Sequence, residues 1–303
     1  MKRATAIAAA GLVAACVAPS EEPAPEQAAV VQPIAAPSPA PSPAPAPSPA
    51  GPSTFLYRGE LTQGGWIRGQ VPAGTVSARL GETALAFDET GQFFAAFDRD
   101  AGPQTVLSAT LRDGRRIDSP LTVSPRAWNL EQINASPTAN VPSAEFLARR
   151  RPELERIRAA REIETGSIGW RQDFIWPATG RISGRFGSQR IYRGEPGSYH
   201  SGIDVAGATG TPYVAPADGV VILAAEAPFT LEGNLLMIDH GMGLNSAFLH
   251  SSELLVREGD RVKQGQTIGR IGATGRATGP HLHWGLMWRG MRLDPLLFTG
   301  SMP

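Results

Sequence analysis

From Phe174 onward, glycines interrupt the chain so often that its apolar residues gather only into short β-like segments. Glycine enters turns without steric cost but weakens the interior of regular elements, so a region punctuated in this way reads as short strands joined by tight turns. The fold class expected is mainly β, and 303 residues allow more than one core. Charge narrows the functional classes. With 28 Lys+Arg against 28 Asp+Glu the chain has no net field to draw in a polyanion, so no nucleic-acid partner is expected. A single cysteine, Cys16, excludes both an intramolecular disulfide and a thiolate zinc cluster. Any metal must therefore be held by carboxylates and by some of the five histidines.

The amino terminus has the layout of a secretory signal over residues 1–15: a basic Lys2-Arg3 pair, an apolar run from Ala4 to Val13, then small residues. The run is too short for a spanning helix, which needs about 20 apolar residues. Val13-Ala14-Ala15-Cys16 resembles the lipobox of bacterial lipoproteins, which implies cleavage before Cys16 and lipid on its sulfur. Val17 follows where an aspartate would direct retention, so the resemblance implies a periplasmic lipoprotein anchored in the outer membrane. Residues 16–53 are mostly Pro, Ala and Ser with nothing large to bury, and read as a tether. In polyproline geometry, at about 3.1 Å per residue, its reach is on the order of 100 Å.

Two folded bodies are expected beyond it. Over 54–127, short apolar runs such as Trp66-Ile67, Phe93-Phe94 and Thr105 to Leu111 alternate with turn signals, Asp113-Gly114 among them, and predict a small β-sandwich without a single histidine. Residues 128–172 read as a connector whose arginine-rich stretch forms a helix capped by Ser143. Eleven arginines and five acidic residues between Arg149 and Arg193 make this the most basic part of the chain, and the simplest reading of such a helix is a solvated face.

Residues 173–300 hold the chemistry. His200-Ser201-Gly202-Ile203-Asp204 places an imidazole and a carboxylate on a glycine-loosened loop or strand edge. In His281-Leu282-His283, residues two apart on a strand point to one side, so both imidazoles can reach one point while Leu282 packs inward. His250 ends the apolar run Ala247-Phe248-Leu249. Spacing leaves open which of His281 and His283 would bind a metal.

In order and spacing these motifs, with Val214-Ala215-Pro216-Ala217-Asp218-Gly219 and the stretch from Gly259 to Gly269, resemble the lysostaphin/LytM-type zinc metallopeptidases, which cut peptide bonds in peptidoglycan. The likeness runs from about Trp176 to Pro295. It implies an antiparallel LytM-type sheet domain of the duplicated-hybrid-motif kind, zinc held by His200, Asp204 and His283, and His250 and His281 as catalytic groups beside the metal. Two neutral imidazoles and one carboxylate leave a coordination position open, as hydrolytic zinc requires. The implied function is zinc-dependent hydrolysis of cross-links between peptidoglycan stem peptides; the alternative is a LytM-domain regulator that activates a wall amidase or joins a division-site partner without cleaving. Phe248 stands where the family often has tyrosine, and Trp284-Gly285-Leu286 replaces an acidic continuation. His240 is expected at a turn with a structural role, Trp284 and Trp288 in packing, and Arg185 and Arg190 near substrate.

Overall fold

In a computed structural model the chain is described over residues 51–136 and 143–302. The signal segment, Cys16 and nearly all of the tether lie outside the described residues. Among the described residues, no helix is long and apolar enough to cross a membrane.

The first body consists of two antiparallel sheets. Strands β1 (Leu56–Gly59), β2 (Trp66–Gln70) and β5 (Gln92–Ala96) form one sheet; β3 (Thr75–Leu80), β4 (Thr83–Leu85), β6 (Gln104–Leu111) and β7 (Arg116–Thr122) form the other. Asp113-Gly114 turns β6 into β7, with Gly114 at φ 85°, where a side chain would be strained. Ile67, Phe93 and Leu107 are fully buried; β6 alternates buried and more exposed residues toward its end as a sandwich strand does, whereas β5 is buried on both faces from Phe93 to Ala96.

The connector is more structured than its charge suggests. It contributes β8 (Leu130–Ile133), helix α1 (Ala144–Arg161) and a 3₁₀ turn at Gly169–Arg171. Ser143 caps α1 by accepting a hydrogen bond from the Phe146 N–H at 3.1 Å. The helix is not simply a solvated face. Ile157 and Ala160 pack onto Leu223, Leu235 and Met237 of the large sheet, and Arg150 is largely buried in an ion pair with Glu232.

The second body contains β9 (Ile182–Gly184), β10 (Gln189–Tyr192), β11 (Glu195–Tyr199), β12 (Ile203–Ala206), β13 (Pro212–Val214), β14 (Gly219–Ala224), β15 (Asn234–Gly241), β16 (Leu244–Ser251), β17 (Glu253–Leu254), β18 (Arg261–Val262), β19 (Thr267–Arg270), β20 (His281–Trp288), β21 (Met291–Leu293) and the short α2 (Leu296–Thr299). Its main sheet runs β18-β14-β15-β16-β20-β12-β9, with β21 paired to β20. Two small sheets flank it: β13-β19-β17, and β11-β10-β8, in which connector strand β8 pairs in parallel with β10.

Burial on both faces explains the nearly continuous apolar run of β15. Leu236 and Ile238 face the central core; Leu235 and Met237 face α1. That core is shared with the first body: Phe94 lies 6.2 Å from Trp288, ring centre to ring centre, and the Trp66 indole N–H donates to Leu297 O at 2.9 Å. Trp284 and Trp288 are fully buried in it.

Candidate metal centre

Strand register assembles the site. Antiparallel pairing of β12 with β20 sets Asp204 directly opposite His283, and pairing of β16 with β20 sets Leu249 on the other flank of His283. His200 precedes β12 and folds back over Asp204. The result is a tight triad. Asp204 Oδ1 lies 3.0 Å from His200 Nε2 and 2.8 Å from His283 Nδ1, and the two nitrogens are 3.1 Å apart. Such edges suit three donors sharing one cation at the roughly 2.0–2.2 Å expected for Zn–N and Zn–O bonds. Among the described residues, His200, Asp204 and His283 form the one group whose His, Cys or carboxylate atoms converge in this way. Close approach depends on two glycines: a Cβ at Gly184 would collide with the Asp204 carboxylate, and one at Gly202 would stand 2.7 Å from His283 Nε2.

The other two histidines face the same space. His281 Nε2 is 3.7 Å from Asp204 Oδ1, and the His250 ring centre is 5.0 Å from that of His281. Three of the four imidazoles are oriented by main-chain carbonyls. His200 Nδ1–H donates to Arg185 O at 3.1 Å, His250 Nδ1–H to Thr274 O at 2.8 Å, and His281 Nδ1–H to Gly279 O at 2.8 Å. Each of these bonds fixes a tautomer that leaves Nε2 free to face the site, the usual division of labour at a metal-binding or proton-transfer imidazole. No side-chain pattern marks those carbonyls in sequence; the Thr-Gly punctuation from Thr274 to Gly279 is the one signal for the two that lie there, and Arg185 O has none.

His250 needs further support because its backbone sits at φ 65°, unusual for a residue with a side chain. Its N–H donates to Glu232 O at 2.8 Å. The loop carrying Glu232 is in turn clamped by α1: Arg150 donates to both Glu232 oxygens at 2.6 Å, while Glu153 accepts from Thr230 N and Oγ1 at 2.7 and 2.6 Å. Sequence reasoning missed this chain of contacts, which begins about 100 residues upstream of the histidine it supports.

The electrostatics follow from burial and these bonds. Burial opposes ionisation of Asp204, but its close interactions with the His200 and His283 imidazoles outweigh it and hold the carboxyl well below the ordinary carboxylate range. Burial also pushes His200 down, yet its bond to Asp204 and that carboxylate's charge leave it net raised. Burial lowers His283 and His250, keeping both in the neutral form.

A cleft of about 750 Å³ opens beside the triad, lined by His200, Asp204, Arg185, Arg190 and Arg276, with Glu131 at the edge of β8. Arg190 is held there by Glu131 at 2.8 Å. His240 is not at a turn but near the end of β15, fully buried. Its Nδ1–H donates to Asp218 O at 2.8 Å and its Nε2 accepts from the Ser246 hydroxyl at 2.8 Å, so it is a structural residue of the core. Phe248 is buried against Tyr213, away from the metal donors.

An antiparallel sheet carrying a His-Asp-His donor set with two further imidazoles defines a metallopeptidase-like domain, and the comparisons agree with that class. Residues 198–295 match the model of Peptidase family M23, so the chain carries an M23 domain of the LytM type. A 120-residue stretch is 42% identical to the peptidoglycan DD-endopeptidase ShyA of Vibrio cholerae, covering 38% of this chain and 27% of that protein. Another of 123 residues is 37% identical to the murein hydrolase activator NlpD of Salmonella dublin, covering 41% of this chain and 30% of that protein. The chain thus spans less than a third of either relative. A crystal structure of a candidate peptidase M23 from Pseudomonas aeruginosa superposes with a TM-score of 0.62 at 26% identity, over 80% of this chain and 96% of that one. That overlap extends well beyond the M23 segment, so most of the architecture described above is shared.

Proposed function

We propose that this chain is a zinc-dependent endopeptidase that hydrolyses peptide cross-links of peptidoglycan. The observation that carries the reading is the convergence of three metal donors within 3.1 Å of one another, with His250 and His281 presenting Nε2 to the same space. A zinc ion held by His200, Asp204 and His283 supplies Lewis acidity toward a scissile carbonyl and toward water. The chain's own residues do the rest. His250, neutral through burial, accepts the proton of the attacking water at Nε2. His250 then delivers that proton to the leaving amine, while His281, its Nδ1–H held on Gly279 O, presents Nε2 as the acceptor of a hydrogen bond from the attacking water.

The organisation expected from sequence completes the proposal. Residues 1–15 direct export, Cys16 carries lipid, and 16–53 tether the body to the outer membrane in the periplasm. Residues 54–127 form the β body that packs on the rest through the shared core, 128–172 connect, and 173–300 carry the peptidase site that acts on stem peptides.

The test is digestion of defined cross-linked muropeptides by the full chain, with and without a chelator, read by mass spectrometry. Dimers should become monomers only when metal is present. Cleavage indifferent to the chelator would rule out the metal site. A zinc-loaded chain that cleaves nothing but stimulates a wall amidase would replace this reading with that of an activator, the role named for the Salmonella dublin relative.

A further inference from the structure

The sheet face that bears His283 is open on one side only. On the other side α1 lies across β15 and β16, leaving beneath it a cavity of about 190 Å³ that His283 also lines. At roughly 30 Å³ per water, this space would hold about six waters or one small amino-acid residue. Its walls include Arg161 from the last turn of α1, Arg292 from β21, Ser201, Asn245 and Glu232.

Its charge is unbalanced. Glu232 is the one carboxylate lining the cavity, and both its oxygens are taken up by Arg150. Among the described residues, neither Arg161 nor Arg292 is within ion-pair distance of a carboxylate. Arg161, exposed at the last turn of α1, is lowered from the ordinary guanidinium value by partial desolvation of its charge and by the charge of Arg292, so the two cations feel each other. Arg292 is held by the Tyr199 ring, 5.4 Å from its guanidinium carbon. The same cavity is lined by an unsatisfied amide. Asn245 is only 5% exposed, yet its Oδ1 has no hydrogen-bond partner. Buried polar groups are nearly always paired, and an orphan lining a cavity marks a place where something polar is missing.

Two unneutralised guanidiniums call for an anion. A cavity lined by a metal donor calls for one joined to the substrate. Resting on the peptidase reading, we propose that this cavity is a carboxylate-binding subsite. It receives the substrate residue that bears a free carboxylate next to the scissile bond, with Arg161 and Arg292 pairing to the carboxylate and Asn245 bonding the adjoining peptide group. The cleft is then asymmetric: the side lined by Arg185 and Arg190 admits a continuing chain, while the side under α1 admits one short acidic end.

Binding by the full chain of acetyl-D-alanyl-D-alanine and of its carboxamide, measured by calorimetry, tests the subsite without relying on turnover. The acid should bind at least tenfold more tightly, and R161Q and R292Q should each bring the ratio close to one while leaving carboxamide affinity unchanged. Equal binding of acid and carboxamide would overturn the proposal. So would a preference that survives both substitutions, because the carboxylate would then be read elsewhere, for example by the metal. Arg161 stands at the exposed end of a helix, so R161Q decides the matter if R292Q does not fold. Cleavage of cross-linked muropeptides in acid and amidated forms separates the two readings. A chain that selects the acid in binding but cleaves neither form keeps the subsite and loses the endopeptidase function. One that cleaves both equally and binds both equally keeps the function and loses the subsite.

Discussion

The two sides of the metal centre are built by the same device and differ in what covers them. On the open side, β8 pairs with β10 and brings Glu131 to Arg190, an ion pair in which both partners are more than half exposed. On the closed side, α1 presses Ile157 onto the sheet and brings Arg150 to Glu232, with both side chains largely buried. Each is a connector element docked beside the M23 segment, and each presents an arginine–glutamate pair. Only the buried pair stands in line with a histidine, through the Glu232 carbonyl and the His250 N–H. The lesson is that desolvation, and not the identity of the charges, decides whether an ion pair can transmit position to a site.

The largest effect should come where the two sides meet. Asp204→Ala removes the oxygen that both metal-facing imidazoles approach, so zinc content measured by atomic emission should fall from one per chain to near zero and hydrolysis should disappear. Next, His281→Ala on the open side should keep its zinc but lose roughly two to four orders of magnitude in kcat; near-normal turnover would remove His281 from the chemistry. Third, Arg150→Gln leaves Glu232 buried without its partner, which should cost about 3 kcal/mol in a denaturant titration. It should also lower kcat about tenfold at unchanged zinc content, and Arg150→Lys should recover part of the loss. If kcat held while stability fell, α1 would be a brace for the fold and not for His250.

A smaller effect is expected from pH. His240, fully buried near the end of β15, is lowered by burial from 6.5 to about 4 in the folded chain. Its neutral form is the folded form, so its contribution to stability is complete above about pH 6.5 and is lost as the pH falls toward 4, where the unfolded chain binds the extra proton. Thermal melting followed across that window should show the decline, and a His240 variant that still folds should flatten it. Smallest of all, Glu131→Gln breaks the exposed pair and should change stability by less than about 1 kcal/mol. A loss as large as that of Arg150→Gln would erase the contrast between the sides.

Much of the site was legible before any coordinates because its signals are local. Two-residue periodicity put His281 and His283 on one side of a strand with Leu282 inward, and Leu282 is fully buried in β20. Asp113-Gly114 forms the hairpin turn its composition predicts, and Ser143 caps its helix. The arginine-rich helix was harder to read. Charge density suggested a solvated face, but a few apolar residues, Ile157 and Ala160 among them, suffice to seat it, and its packing partners lie more than 60 residues away. His240 was assigned to a turn because glycines follow it, whereas pairing between β15 and β16 carries the strand through it.

The sequence by itself determined the inventory: mainly β structure, an imidazole and carboxylate set with no thiolate competitor, and a low-complexity stretch with nothing to bury. These follow from side-chain chemistry and backbone preference, which act over a few residues. Only the tertiary structure decided which of His281 and His283 faces Asp204 most closely, which carbonyls orient the rings, and that α1 covers a cavity lined by His283. Those outcomes depend on strand register and on burial against distant partners, and the free energy of such contacts exists only once the chain has brought both sides together.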